Sequence, residues 1–257
     1  MATFKNHNYT INRVGGEGKG SRAGQGIYEE SSEAKFAIGE KLELGDNRVF
    51  RYAYASAAIT VGKCVSTDSV QLIAADDNGT FTAASAGATS ITVSDSTLGS
   101  ATKDLYAGGY FGNITNGEQY RIKANTAAAS NSVTFTLYDP IVTAVAATDD
   151  YILTPGPYNG VITATVGGGD YDRVVGINPI AVTSGYYFWL QTKGIGFAIT
   201  ETGGAGAVAL GDPLQLSDTT AGTVQTSDAG VDTPVIGQAM GAAAAAKHVP
   251  IMINVGG

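Results

Sequence analysis

The chain reads as all-β: small glycine-rich β-barrel or sandwich modules behind an extended N-terminal arm, with little helix. Two observations predict this. Glycine supplies 35 of 257 residues while charged side chains make up only 15%, a balance rich in turn formers and poor in the charge that solvates helical surfaces. Short runs of Val, Ile, Thr, Tyr and Phe recur between Gly, Pro, Asn and Asp, which is the pattern of strands joined by tight turns.

Residues 1–50 read as an extended arm and connector. In residues 1–28 the apolar side chains Phe4, Tyr9, Ile11 and Val14 are scattered, and Asn12 to Gly26 carry too little apolar surface to offset the entropy of ordering. Such a segment gains order only against a partner. Lys5, Arg13, Lys19 and Arg22 outnumber the single carboxylate Glu17 here, although the whole chain has a net charge of −8. A basic arm on an acidic body suits an acidic docking surface; a solvated tail is the simpler alternative. Residues 29–50 interleave charge with Phe36, Ile38, Leu42 and Leu44, as in a connector or short edge strand.

From Val49 the strand signals are steady. They fall at 51–54, 59–61, 63–65, 70–75 and 80–83, then at 91–93, 110–114, 120–124 and 133–137. Tyr120/Ile122 and Val133/Phe135/Leu137 alternate with polar or smaller residues, as half-buried strands do. Asn78-Gly79, Asn116-Gly117 and Asn159-Gly160 predict hairpin turns, because both turn positions need positive φ. A composition shift at Thr154-Pro-Gly-Pro-Tyr158 marks a boundary. It sets an inserted β module at 79–154 and a second module built from 50–78 plus 158–257. Thr60-Val-Gly-Lys-Cys-Val65 and Ala209-Leu-Gly-Asp-Pro-Leu214 share an apolar–Gly–two residues–apolar pattern, which predicts two strand–turn–strand elements of one small barrel. The alanine run in 238–247 favours a single helical turn, followed by a strand over 248–255. The densest signal is Tyr186-Tyr-Phe-Trp189, read as a strand packed on both faces: neighbours point to opposite sides, so two rings serve the core and two a subunit interface rather than one flat sugar-stacking platform.

No constellation for catalysis stands out, and no cofactor is expected. His7 and His248 lie far apart in sequence, with no Gly-x-Ser-x-Gly elbow. Asp76/Asp77, Asp149/Asp150 and Asp170/Asp172 sit at predicted turns, where Asp favours tight backbone geometry; a surface Ca²⁺ on Asp170 and Asp172 is the alternative. Gly15-Gly-Glu-Gly-Lys-Gly lacks the Gly-Lys-Ser/Thr ending of a phosphate loop. The acidic balance argues against nucleic acid as a partner, and no stretch is apolar enough for a membrane span or signal peptide. Cys64 is the only cysteine, so no intrachain disulfide forms, and synthesis in a reducing cytoplasm is expected.

Gly185-Tyr-Tyr-Phe-Trp-Leu-Gln-Thr-Lys-Gly194, followed by Ala207-Val-Ala-Leu-Gly-Asp-Pro-Leu214, resembles the C-terminal signature of the tailed-phage head decoration (capsid cement) proteins. Tyr106-Ala-Gly-Gly-Tyr110, Tyr120-Arg-Ile-Lys-Ala-Asn125 and Thr136-Leu-Tyr-Asp-Pro-Ile141 are similar to a β insertion of tailed-phage virion proteins. The ending Pro234-Val-Ile-Gly-Gln-Ala-Met240, with Val249-Pro-Ile-Met-Ile253, is similar to the C-terminal strand pair of the decoration family. The resemblance implies a non-enzymatic virion protein, usually trimeric, on the outer surface of the capsid, bridging major capsid protein subunits after head expansion. On that reading Phe4, Lys5, Tyr9, Ile11, Arg13 and Arg22 form the capsid-binding arm, and Tyr186, Tyr187, Phe188 and Trp189 the core or subunit interface. A tail-fibre or glycan-binding host-recognition module is the alternative, and a glycoside-cleaving spike a third.

Overall fold

In the computed structural model, residues 24–67, 73–76, 80–166, 173–203, 206–227 and 235–255 are described. The chain divides into two compact units, one of Met1–Phe36, Glu40–Ser66 and Ile162–Gly257, the other of Ala37–Gly39 and Thr67–Val161. The expected insertion at 79–154 is therefore wider, because the chain leaves the first unit along one strand and returns along another.

The first unit is built on a ten-stranded sheet. Its strands are β1 (Lys41–Glu43), β2 (Val49–Ala55), β3 (Cys64–Thr67), β11 (Asn159–Thr163), β12 (Val174–Ile177), β13 (Tyr187–Ile199), β14 (Pro213–Leu216), β15 (Val224–Thr226), β16 (Val235–Ala239) and β17 (His248–Asn254). They lie in the order β1-β2-β11-β3-β12-β13-β17-β16-β14-β15, and a further β2–β13 pairing closes β2, β11, β3, β12 and β13 into a five-stranded barrel. β13 runs on beside β17, β16, β14 and β15, which curl with it into a half-barrel whose two ends meet at one parallel bridge between Thr200 and Val224.

The half-barrel repeats the barrel residue by residue. β3 pairs with β12 through Cys64↔Ile177, Val65↔Gly176 and Ser66↔Val174; β14 pairs with β16 through Pro213↔Gln238, Leu214↔Gly237 and Gln215↔Val235, with the bulge at the same place. Ahead of each first strand, Ile59 bridges Val182 and Val208 bridges Ala243. The turns that follow put Gly62 at φ 73° and Gly211 at φ 90°, a region open to glycine at little cost. Ile177↔Gln191 in the barrel corresponds to Gln238↔Met252 in the half-barrel. The ladder of β2 on β13, Tyr54↔Tyr187 to Phe50↔Gln191, corresponds to that of β13 on β17, Ile199↔His248 to Ile195↔Met252. β13 thus ends one copy and begins the next.

The two echoing sequence segments are accordingly the openings of two successive copies, not elements of one barrel. Core positions match as well: Ala53/Ala198, Val65/Leu214, Val175/Ile236, Phe188/Val249 and Leu190/Ile251 are all buried. A bulge at Thr192, between Gln191 and Lys193, lets one strand serve both copies. One extra residue flips which side chains face which way, so Phe188 and Leu190 line the barrel while Ala198 joins the half-barrel core. Cys64, Ala164 and Ile177, on the outside of the barrel, belong to that same half-barrel core, so the two halves curl toward opposite faces of the sheet.

The second unit occupies the β3–β11 connection; the corresponding β14–β15 connection is only residues 217–223. Its strands are β4 (Ile73–Asp76), β5 (Thr80–Thr82), β6 (Ser90–Ser94), β7 (Tyr110–Asn113), β8 (Glu118–Asn125), β9 (Ser132–Leu137) and β10 (Tyr151–Thr154), ordered β4-β10-β7-β8-β9-β6-β5. Phe81 on β5 meets Phe111 on β7 at 5.6 Å and Tyr151 on β10 at 5.0 Å. Contact between strands so far apart in the ladder requires the sheet to roll around its core of Ile91, Val93, Ile122, Val133, Phe135 and Leu153. The expected alternation in β6, β8 and β9 supplies most of that core.

One of the three expected Asn-Gly turns differs. Asn116-Gly117 does close the β7–β8 hairpin, with Gly117 at φ 76° and its N–H donating to the Asn113 carbonyl at 2.9 Å. Asn159-Gly160 instead opens β11, Gly160 sitting at φ 72° where the chain passes from one sheet to the other. Asn78-Gly79 lies outside the described residues. The alanine run forms no helix: β16 extends to Ala239, and a turn with Ala246 at φ 59° leads into β17.

Candidate interaction surface

The outer face of the barrel on β2 and β13 is aromatic and covered. Tyr187 stacks on Tyr52 at 6.0 Å and 8°, and Trp189 meets Tyr52 edge-on at 5.0 Å. Phe36 closes over both, 5.2 Å from Tyr52 and 5.0 Å from Trp189, all within the spacing at which aromatic pairs attract. Ile27, Leu42 and Leu44 complete a second core layer with Phe50, Tyr52 and Trp189. Residues 24–44 are therefore a packed cover: the short edge strand expected within 29–50 is present as β1, while the rest of that stretch is packed down rather than an open connector. Leu42 and Leu44 alternate inward while Lys41 and Glu43 pair at 2.8 Å outside, as an edge strand on an apolar surface does.

Gln25 pins the start of this cover. Its Nε2 donates to the carbonyls of Glu29 and Tyr187, both at 2.7 Å, and its Oε1 accepts from the Tyr52 hydroxyl at 2.6 Å. The Trp189 Nε1–H donates to the Gln25 carbonyl at 3.0 Å, and Ser31 exchanges both backbone bonds with Tyr187. Burial pushes the Tyr52 phenol up from its ordinary range. Gly24, where the described chain begins, thus departs from a fixed point on this face.

Of the expected interface residues, Phe188 lies in the barrel interior and Trp189 under the cover, whereas Tyr186 and Tyr187 are half-buried. With Trp189 only 2% exposed, the run offers no flat platform to a sugar. Phe4, Lys5, Tyr9, Ile11, Arg13 and Arg22 lie outside the described residues, as do His7, Asp77, Asp170 and Asp172. Asp149 serves a turn, accepting from Asn113 Nδ2 at 2.8 Å and Ala146 N–H at 3.1 Å. Cys64 is fully buried and its thiol is pushed up to about 12. Glu201, 3% exposed, accepts from the Ser217 hydroxyl at 2.6 Å and the Thr219 hydroxyl at 2.8 Å, tying the β14–β15 turn to the end of β13. Among the described residues no three His, Cys, Asp or Glu side chains gather as a metal site.

A second exposed feature lies on the other unit. Tyr110, Gly112, Ile114, Ile152 and Thr154 line a shallow groove of about 250 Å³, below the usual size of small-molecule sites. Sequence reading missed Gln25, Ile27 and Phe36 as anchors. Ile27 and Phe36 are isolated apolar side chains and Gln25 is polar, and the partners that bury them are far away in the chain. No protein family, curated protein or solved structure matches this chain.

Proposed function

We propose that this chain is a structural, non-enzymatic virion protein that binds the outer surface of a phage capsid and stabilises the expanded head by bridging major capsid protein subunits, acting as a homotrimer. One observation supports the reading most: a body of β-barrel units holds the base of its N-terminal segment at a fixed place, through Gln25 and the aromatic layer. Residues 1–23, with apolar Phe4, Tyr9 and Ile11 and cationic Lys5, Arg13 and Arg22, are then presented from a defined origin. That is the arrangement a multicopy clamp needs, because anchoring limits the entropy lost on docking and many copies add their contacts. The resemblance of residues 185–214 to the decoration family points the same way. The test is co-sedimentation of the full chain, and of a variant lacking residues 2–23, with expanded phage heads. The reading expects the full chain to bind and the variant to lose binding while keeping its oligomeric state and circular dichroism. Undiminished attachment of the variant refutes the arm's role, and no attachment of the full chain refutes the function.

A further inference from the structure

The internal repeat makes a comparison possible that neither half allows alone. On the barrel, the outer positions Phe50, Tyr52 and Trp189 are at most 2% exposed because residues 24–44 lie over them. The ladders equate these with Ile195, Phe197 and Pro250 on the half-barrel. There the same face is bare: Ile195 is 52% exposed, Phe197 59%, and the flanking Met252 and Met240 39% and 42%. Phe197 stands opposite Pro250, and Ile195 opposite Met252. Met240 continues the first row, its N–H donating to the Pro250 carbonyl at 2.7 Å. A contiguous apolar face spanning three strands is unusual for a surface that meets only water.

We propose that this half-barrel face is the seat of the chain's own residues 1–23, lying on it as residues 24–44 lie on the barrel. Tyr9-Thr10-Ile11 reproduces the apolar–polar–apolar spacing of Leu42-Glu43-Leu44, which in an extended segment turns both apolar side chains to one face. The first copy takes its cover from the chain preceding β2. The second copy has no such stretch, because β13 runs into it without a break, so its cover comes from elsewhere. Residues 1–23 are next in line and start from Gly24, on the first unit itself. Extended, they reach up to about 75 Å, against a diameter of about 40 Å for a compact body of the first unit's size. Contact is made through side chains rather than by adding a strand, since Gln191 Nε2 already donates to the carbonyls of Lys193 and Ile195, at 3.2 and 2.9 Å. This inference does not rest on the virion reading and is tested on the free protein. If both hold, docking on a shell uncovers the half-barrel face.

The experiment is photo-cross-linking of the full chain carrying Phe197→p-benzoylphenylalanine, an exposed position where the larger ring is accommodated. It is run on an equal mixture of light and heavy-isotope protein, and products are read by peptide mass spectrometry. The expected product joins residues 1–23 to the β13 peptide with the same label on both sides. Adding Tyr9→Asp and Ile11→Asp lowers its yield at least tenfold, with circular dichroism unchanged. Mixed-label products overturn the proposal in favour of a neighbouring copy. Cross-links to the folded body of a second copy, or a yield indifferent to the two Asp substitutions, overturn it as well.

Discussion

Gln25→Ala tests whether the aromatic face is held by its cover. The side chain makes three hydrogen bonds, to the carbonyls of Glu29 and Tyr187 and from the Tyr52 hydroxyl, each contributing about 1 kcal/mol net. The Tyr52 oxygen keeps its bond from the Lys35 N–H at 3.1 Å, so it loses an acceptor but is not stranded. Freeing a glutamine from one rotamer returns about 1 kcal/mol. The balance is a loss of about 2 kcal/mol, or roughly a thirtyfold shift toward the undocked segment. Trp189 reports it directly: it is the only tryptophan, and its indole N–H bonds to the Gln25 backbone. Emission shifts to the red and acrylamide quenching rises in Gln25→Ala, while Tyr52→Phe, which removes the bond to Gln25 and the one from the Lys35 N–H, changes both in the same direction. Quenching and thermal midpoint both equal to wild type would refute the reasoning.

The repeat predicts matched costs at two glycines. A Cβ at Gly237 would stand 2.2 Å from the Met252 carbonyl oxygen, and one at Gly176 2.7 Å from that of Gln191. Gly176→Ala and Gly237→Ala therefore each destabilise by about 3 kcal/mol, at the upper end of overpacking. Gly45→Ala, with nothing within 4 Å, is close to neutral in the same urea titration. Cys64 makes stability fall at alkaline pH. Its folded pKa of about 12 lies above the ordinary 9.0, so its contribution is complete below pH 9 and declines as pH rises toward 12. At 1.36 kcal/mol per unit the loss is about 2 kcal/mol by pH 10.5. Cys64→Ala flattens that part of the pH profile; an unchanged slope shows that other groups set it.

Much of the fold was legible where local pattern and tertiary use agree. The alternation of Val133, Phe135 and Leu137 meant a half-buried strand because period two has few other uses, and the shared apolar–Gly–two residues–apolar pattern of the echoing segments marked two turns whose glycines lie at φ 73° and 90°. Asn159-Gly160 misled because positive φ at Gly160 serves a crossing between sheets as well as a hairpin. The cover was hidden for a different reason: Ile27, Phe36, Leu42 and Leu44 look sparse until β2 and β13 supply the other half of their contacts. The repeat stayed nearly invisible. Its core tolerates exchanges such as Phe188 for Val249 and Leu190 for Ile251, and the second unit interrupts one copy but not the other. Of the aromatic run, Phe188 faces the barrel interior and Trp189 is buried by the chain's own residues 24–44.

The bulge at Thr192 gives one residue an outsized architectural role. Were Thr192 taken into the ladder as an ordinary residue, strict period-two alternation would carry Phe188, Leu190 and Ala198 to one surface. The two curls would then compete for the same space rather than back onto each other in an S. A one-residue insertion or deletion between Lys193 and Phe197, with the bulge kept, would do the same, whereas loss of Thr192 itself leaves both apolar sides where they are.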